Sequence, residues 1–247
     1  MLQAPLHQRE RFVRLELKSS ERKAGSEGDG EYAMGTQIHR SVRSASLVQF
    51  SMSHHIYNLR SGVNNVFTFT GATSGTVTST VPEGNYDLTA LLAVLNADLS
   101  PCVFTQSSVT KRITCTNATD ATWTFDSVTN AAWSMLFESS AIGSTQTSPA
   151  ASNIIPDIRP TKYLYICIAE SDPSLLLGQG YQRHCMAKIP LDVEFQEIIY
   201  YEPRLAAPIH LFERIQSLRI VVCDDTGAVI DNNGGDWNAT IQLEYVE

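Results

Sequence analysis

Residues 81–99, V-P-E-G-N-Y-D-L-T-A-L-L-A-V-L-N-A-D-L, form the one stretch of this chain that reads clearly as a helix. Leu88, Leu91, Leu92, Leu95 and Leu99 fall on the i, i+3, i+4, i+7, i+11 spacing that gathers side chains on one face of a helical period. Thr89, Asn96 and Asp98 lie mostly off that face. Pro82 and Gly84 supply a turn before it, Asn85 or Asp87 can accept the free N–H groups of the first turn, and Ser100-Pro101 ends it. A helix of about a dozen residues is marginal alone in water, so its leucine face needs a covering surface. The flanking segments offer only strands.

Outward from the helix, short period-two stretches follow one another between turn residues. Before it, Val48, Phe50 and Met52 alternate with polar neighbours, as do Phe67 and Phe69, and then Val77, Ser79 and Val81. After it, C-V-F-T-Q and R-I-T-C-T flank S-S-V-T-K as a hairpin, and A-T-W-T-F puts Trp123 and Phe125 on one face. A-A-W-S-M-L-F-E reads as a single helical turn before an exposed loop over 141–152. T-K-Y-L-Y-I-C-I-A, residues 161–169, is apolar on both alternations and belongs in the middle of a sheet covered on both sides. Ala187 to Ile189 and Phe195 to Tyr201 read as strands ending at prolines. Ile215 to Cys223, Ala228 to Asp231 and Asn238 to Val246 read as three strands joined by D-D-T-G and N-N-G-G-D.

This pattern predicts an all-β protein: an antiparallel sandwich, most simply a jelly roll, with one short amphipathic helix. Residues 44–247 form the sandwich, with two small β domains meeting near residue 155 as the alternative. Residues 1–43 read as an extended arm. Phe12, Val13, Leu15 and Leu17 can make one short strand, but S-S-E-R-K-A-G-S-E-G-D-G-E is too polar and glycine-rich to pack. Such an arm either docks on a neighbouring subunit, anchored by Arg9, Arg11 and Arg14, or is a tail.

The formal net charge of -8 argues against a general nucleic-acid binder, which needs a basic face. No apolar run approaches the roughly 18 residues of a membrane span, and the first residues lack the apolar core of a secretion signal. Unless a leader has been removed, a reducing compartment is expected. The five cysteines, Cys102, Cys115, Cys167, Cys185 and Cys223, contain no C-x-x-C pair and read as buried free thiols, with Cys102 and Cys115 able to face each other across a hairpin. His54-His55 is a poor metal pair, because adjacent strand residues point to opposite faces. Asp224, Asp225, Asp231 and Asp236 fit turn-making better than a calcium loop. No nucleophile elbow, P-loop, dinucleotide fingerprint or H-E-x-x-H motif occurs. No catalytic, cofactor-binding or metal-ligating residue is expected. Tyr200, Tyr201 and Trp237 are candidates for a subunit interface, against simple packing.

Four segments in order carry a resemblance: V-P-E-G-N-Y with its helix ending in L-N-A-D-L; T-K-Y-L-Y-I; A-K-I-P-L-D-V-E-F-Q-E-I-I-Y-Y-E-P; and R-I-Q-S-L-R-I-V-V-C-D-D-T-G-A-V-I-D-N-N-G-G-D-W. Over residues 81–247 the chain resembles minor capsid or penton-type jelly-roll proteins of eukaryotic double-stranded DNA viruses: polinton-like viruses, virophages and large DNA viruses. Where those proteins tend to carry an L-L-G-F-like stretch, this chain has Trp133-Ser134-Met135-Leu136-Phe137. The resemblance implies a non-enzymatic structural subunit of an icosahedral capsid. Its partners would be copies of itself, a pentamer at the vertex by preference, and the major and other capsid proteins, with no specific nucleic acid and no cofactor. It would be located in the virion, assembled in host cytoplasm or nucleus. A second reading is a virion attachment or spike module that binds a host glycan or receptor, with Trp237, His210 or the 140–152 loop at its tip. A β-rich hydrolase or lectin-like domain is a third, without a catalytic set to support it.

Overall fold

The computed structural model describes residues 10–26, 28–33, 42–127, 130–169, 185–205, 208–210 and 217–246. The chain opens with β1 (Glu10–Lys18), a 3-10 turn (Ser19–Glu21), β2 (Ala24–Gly25), β3 (Asp29–Ala33) and β4 (Val42–Ser53). It continues through β5 (Val66–Gly71), β6 (Gly75–Thr80), α1 (Leu88–Asp98), β7 (Cys102–Gln106), β8 (Ile113–Asn117), β9 (Thr122–Phe125), α2 (Asn130–Trp133), β10 (Thr145–Thr147) and β11 (Ala150–Ala151). It closes with β12 (Tyr163–Ala169), β13 (Cys185–Pro190), β14 (Ile198–Tyr201), β15 (Ile209–His210), β16 (Ser217–Cys223) and β17 (Trp237–Val246). These elements form two compact units, Met1–Ile56 with Thr161–Glu247 and Tyr57–Pro160. The second is thus an insertion in the chain of the first, entered after β4 and left before β12.

The first unit has two five-stranded antiparallel sheets. One runs β1-β17-β4-β14, with β15 also on β4; the other runs β13-β12-β16-β3-β2. Leaving aside the two-residue strands β2 and β15, the first of the remaining strands pairs with the last, and the second with the last but one. The scheme continues inward to β4 with β14 and β12 with β13, successive pairs alternating between the sheets. This is the connectivity of a jelly roll, a long antiparallel ribbon wrapped into a sandwich. Leu164, Ile166 and Ile168 of β12, Leu218, Ile220 and Val222 of β16, and Ile241 and Leu243 of β17 fill its core with Leu47, Phe50 and Met52 of β4. Tyr163 and Tyr165 lie half-buried and Cys167 fully buried on the other face of β12, which is covered on both sides as its composition requires.

Three features differ from the sequence reading. In β4, Thr240 pairs with Gln49 and Ile241 with Leu47, so Val48 sits in a bulge. That extra residue shifts the alternation, and Leu47 rather than Val48 joins Phe50 in the core.

Second, the described part of the expected arm supplies β1 and β3, two strands of the sandwich itself. β1 pairs with β17 along its whole length, Glu10 opposite Val246 through Lys18 opposite Asn238, and Leu15 and Leu17 pack on the core. The polar segment after it is held by hydrogen bonds where it lacks apolar side chains. Ser19 Oγ–H donates to Asp236 Oδ1 at 2.6 Å, and Ser19 Oγ accepts from the Trp237 amide at 2.9 Å. Arg22 donates to the Ser19 and Gly25 carbonyls, and Arg219 grips both carboxylate oxygens of Asp29.

Third, β16 and β17 enter different sheets, and residues 228–231 add only a bridge between Val229 and Cys223. Of the four aspartates expected to make turns, Asp224 and Asp231 do, Asp224 Oδ1 accepting from the Thr226 and Ala228 amides and from Thr226 Oγ and Asp231 Oδ1 from the Asn233 amide, whereas Asp225 accepts from Thr161 Oγ and Asp236 from Ser19 Oγ.

In the second unit a four-stranded sheet, β10-β9-β5-β6, and a three-stranded one, β11-β8-β7, share one apolar core with α1. Asp87 caps the helix, accepting from the Ala90 amide at 2.7 Å, and Leu91, Leu92, Leu95 and Leu99 are buried. Asn96, off the leucine face, binds both backbone groups of Phe104 at 2.6 and 3.0 Å and ties α1 to β7. The β7–β8 hairpin and the α2 turn fall where the sequence places them. β10 and β11 give strand structure to parts of the expected loop.

Asp120 closes the far end of this unit. Its carboxylate accepts from the Thr73 and Ser74 backbone amides, Ser74 Oγ–H and Asn117 Nδ2–H, so the β5–β6 turn is tied to the β8–β9 loop. Gly71 is required beside it, because a Cβ there would collide with the Asp120 carboxylate and Ser74 Oγ. The Ser74 hydroxyl first, then the amides, pull the Asp120 carboxyl down to about 2. A folded-state value below the unfolded one, about 3.9, means the contribution to stability is complete above pH 4 or so and is lost as pH falls towards 2. Asp120→Asn is expected to remove that acid-sensitive part, measured as urea midpoints across this pH range.

Candidate functional site

Among the described residues no group of His, Cys, Asp and Glu is arranged to hold a metal ion. The His54 ring is buried, and its Nδ1–H donates to the Glu194 carbonyl at 3.0 Å, since a carbonyl can only accept. Burial, ahead of the opposing Glu194 and Val193 backbone groups, holds the ring below the usual histidine value. His55 instead donates its amide to Asn232 Oδ1. Both histidines therefore fasten loops of the sandwich. Asn117 is buried, its side-chain amide beside Asp120 and Cys102.

What the sandwich does offer is a pair of dissimilar flanks. The sheet that begins at β1 ends at β14 and β15, so these are its two edges. In β14 the side chains alternate: Ile199 enters the core, Tyr201 packs half-buried against it, and Ile198 and Tyr200 turn outward. Ile198 is 66% exposed, Tyr200 59% and the nearby Leu205 87%. Glu194, Glu197 and Glu202, close by in sequence, are exposed as well; Glu197 Oε2 accepts from the Glu194 amide, and Tyr200 O–H reaches Glu202 Oε2 at 3.4 Å. At the opposite edge, β1 turns Phe12, Arg14, Glu16 and Lys18 outward. Arg14 Nε–H donates to Gln242 Oε1 at 3.4 Å, which orients it along the sheet surface.

The sequence-derived interface residues separate accordingly. Tyr200 and Arg14 lie on exposed flanks. Tyr201 belongs with the core, because neighbouring strand residues face opposite ways. Trp237 is 1% exposed, packed between Tyr32 and Phe50 with ring centroids 5.8 and 5.9 Å away, which removes it from any interface or tip. The backbone of Arg11 pairs with Tyr245, and Arg9 lies outside the described residues. His210 pairs through its backbone with Ser44. Sequence reasoning missed Ile198 and Leu205; the I-I-Y-Y alternation already links Ile198 with Tyr200, but its direction is visible only once β14 is seen on β4.

No family model matches the chain, and no curated protein matches it either. Among solved structures, the crystal structure of a selenomethionine-labelled mavirus penton protein is similar, with 10% sequence identity and a TM-score of 0.49, over 96% of this chain and 99% of that one.

Proposed function

We infer that this chain is a structural subunit of an icosahedral virus shell, in the vertex class, that closes with copies of itself into a ring and contacts neighbouring shell proteins. The observation that carries this reading is the pair of unlike edges on one rigid sandwich. A ring closes through heterologous contacts, in which one flank of each copy meets a different flank of the next. The β14 flank exposes Ile198 and Tyr200, with Leu205 after them and Glu202 at the Tyr200 hydroxyl, and the β1 flank presents Phe12 with Arg14, Glu16 and Lys18, the last paired with Glu21. Exposed aromatic and aliphatic anchors such as Tyr200, Ile198 and Phe12 are the usual centre of a stable contact. The four sequence segments that resemble penton-type capsid proteins support the same reading, and they supply the preference for five copies.

Light scattering on the purified chain is expected to give a pentamer. Ile198→Asp with Tyr200→Asp is expected to give monomers with an unchanged circular dichroism spectrum, since both side chains are outward and neither fills the core. Each truncated anchor should weaken the contact by about 2 kcal/mol, enough together to dissociate the ring at micromolar concentration. A trimer with measurable glycan affinity would instead support the attachment reading.

A further inference from the structure

Three thiols meet on the face of the β13-β12-β16 sheet turned away from the sandwich core. Cys167 of β12 stands directly opposite Cys185 of β13, and its Sγ lies 3.9 Å from Cys223 Sγ of β16. A β-bulge creates the first juxtaposition. Ile166 pairs with Ala187, yet the next pair is Cys167 with Cys185, so Met186 is the extra residue and turns into the core. Without it, Met186 would oppose Cys167 and Cys185 would lie one step further on. Directly opposed residues of an antiparallel pair bring their Cβ atoms to about 4.5–5.5 Å, so a disulfide, with Cβ atoms about 3.5–4.5 Å apart, needs an approach of about 1 Å. The three thiols differ in access. Cys167 and Cys223 are buried, whereas Cys185 is half-exposed. The Cys167 thiol, donating to the Cys185 sulfur, then the Ala187 and Ile166 backbone groups and last the Lys188 ammonium hold Cys185 below its ordinary value against the opposing effect of burial. Lys188 itself is fixed over the Tyr163 ring, 3.7 Å from its centroid.

We propose that this cluster is a thiol–disulfide site in which Cys185 reacts with a glutathione-type disulfide and Cys167 resolves the adduct, leaving a Cys167–Cys185 bond that staples β13 to β12. The Cys185 thiolate attacks one glutathione sulfur, which forms a mixed disulfide and expels one glutathione thiolate. Cys167 then attacks Cys185 Sγ, its proton passes to the departing second glutathione, and the protein disulfide forms. Two protein thiols are oxidised and one glutathione disulfide is reduced to two glutathiones. Both outer thiols donate to carbonyls, Cys185 to Ala187 at 3.0 Å and Cys223 to Tyr165 at 3.5 Å, so access decides between them, and Cys223 is the less favoured partner because it is buried. For a shell subunit, a reading on which only this use depends, the pair would stay open in a reducing host interior and close outside it.

The test takes the full chain in its native buffer, exposes it to graded ratios of oxidised to reduced glutathione, alkylates the remaining thiols and maps the peptides by mass. The expected product is a Cys167–Cys185 disulfide without retained glutathione. Cys167→Ser is expected to hold one glutathione on Cys185, and Cys185→Ser to slow oxidation of the cluster at least about tenfold. A wild-type chain that keeps these thiols reduced, or that links only Cys102 to Cys115, overturns the proposal. The wild-type map decides this even where a serine variant fails to fold, and it decides it whatever the oligomeric state.

Discussion

Trp237→Ala is expected to destabilise the chain by about 3–5 kcal/mol, the range for removing a large aromatic side chain from a core that relaxes only in part. Trp237 opens β17, which lies between β1 and β4, so its ring sits under a strand paired on both sides. Tyr32 meets it edge-on, with 64° between ring planes, and Phe50 at a tilt of 31°. Its amide is also the donor that Ser19 Oγ accepts, and Ser19 in turn fixes Asp236. The substitution therefore opens a cavity at the point where the polar segment after β1 is fastened. The measurement is the urea midpoint by circular dichroism, with hydrogen exchange of the β4 and β17 amides to locate the loss. Trp237→Phe should recover more than half of the difference, since a second aromatic ring refills most of the space. Unchanged stability in Trp237→Ala with a lost glycan or receptor affinity would place the ring at a binding tip and contradict its burial.

The helix, the β7–β8 hairpin and the doubly covered strand 161–169 were legible because each is written in local periodicity. Leucines at i, i+3, i+4 and i+7, or two alternations both apolar, need no distant partner to be read. The class of fold follows from these. What periodicity leaves open is which strands pair, and the jelly roll is defined by pairs far apart in sequence, such as Glu10 with Val246. The arm reading arose from this. Charged residues on the outward face of β1 and a glycine-rich polar turn look like a tail until Asp236 and Trp237 are brought beside Ser19. Bulges are equally silent: a single extra residue at Val48, and another at Met186, decides which side chain of a pair faces the core. The candidate flank was half-legible for the same reason: of the two adjacent tyrosines named as interface candidates, Tyr200 is exposed and Tyr201 packs on the core. The thiol cluster was illegible, since Cys167, Cys185 and Cys223 are brought together only by the sheet order and one bulge.

Trp133→Ala should produce a loss of similar size in the inserted unit, about 3–5 kcal/mol. α2 is only four residues long, too short to hold a helical turn by its own hydrogen bonds. What holds it is Trp133, whose ring lies 4.3 Å from Phe125, 5.1 Å from Phe67 and 5.8 Å from Phe104 by centroid, with Phe137 at 6.2 Å. Nε1–H donates to the Thr68 carbonyl at 2.9 Å, a group that also accepts from the Asp126 amide. That second donor keeps the carbonyl satisfied when the indole is removed, so the hydrogen bond itself is worth only about 1 kcal/mol. Trp133→Phe, which keeps a ring and loses the N–H, is accordingly expected to cost about 1–2 kcal/mol, and the gap between the two variants reports the packing. Loss of exchange protection in β5, β7 and β9 would mark the same core. Were the W-S-M-L-F stretch a surface turn, both substitutions would fall within about 0.5 kcal/mol of the parent chain, and the aromatic cluster could not be what joins the two sheets of this unit.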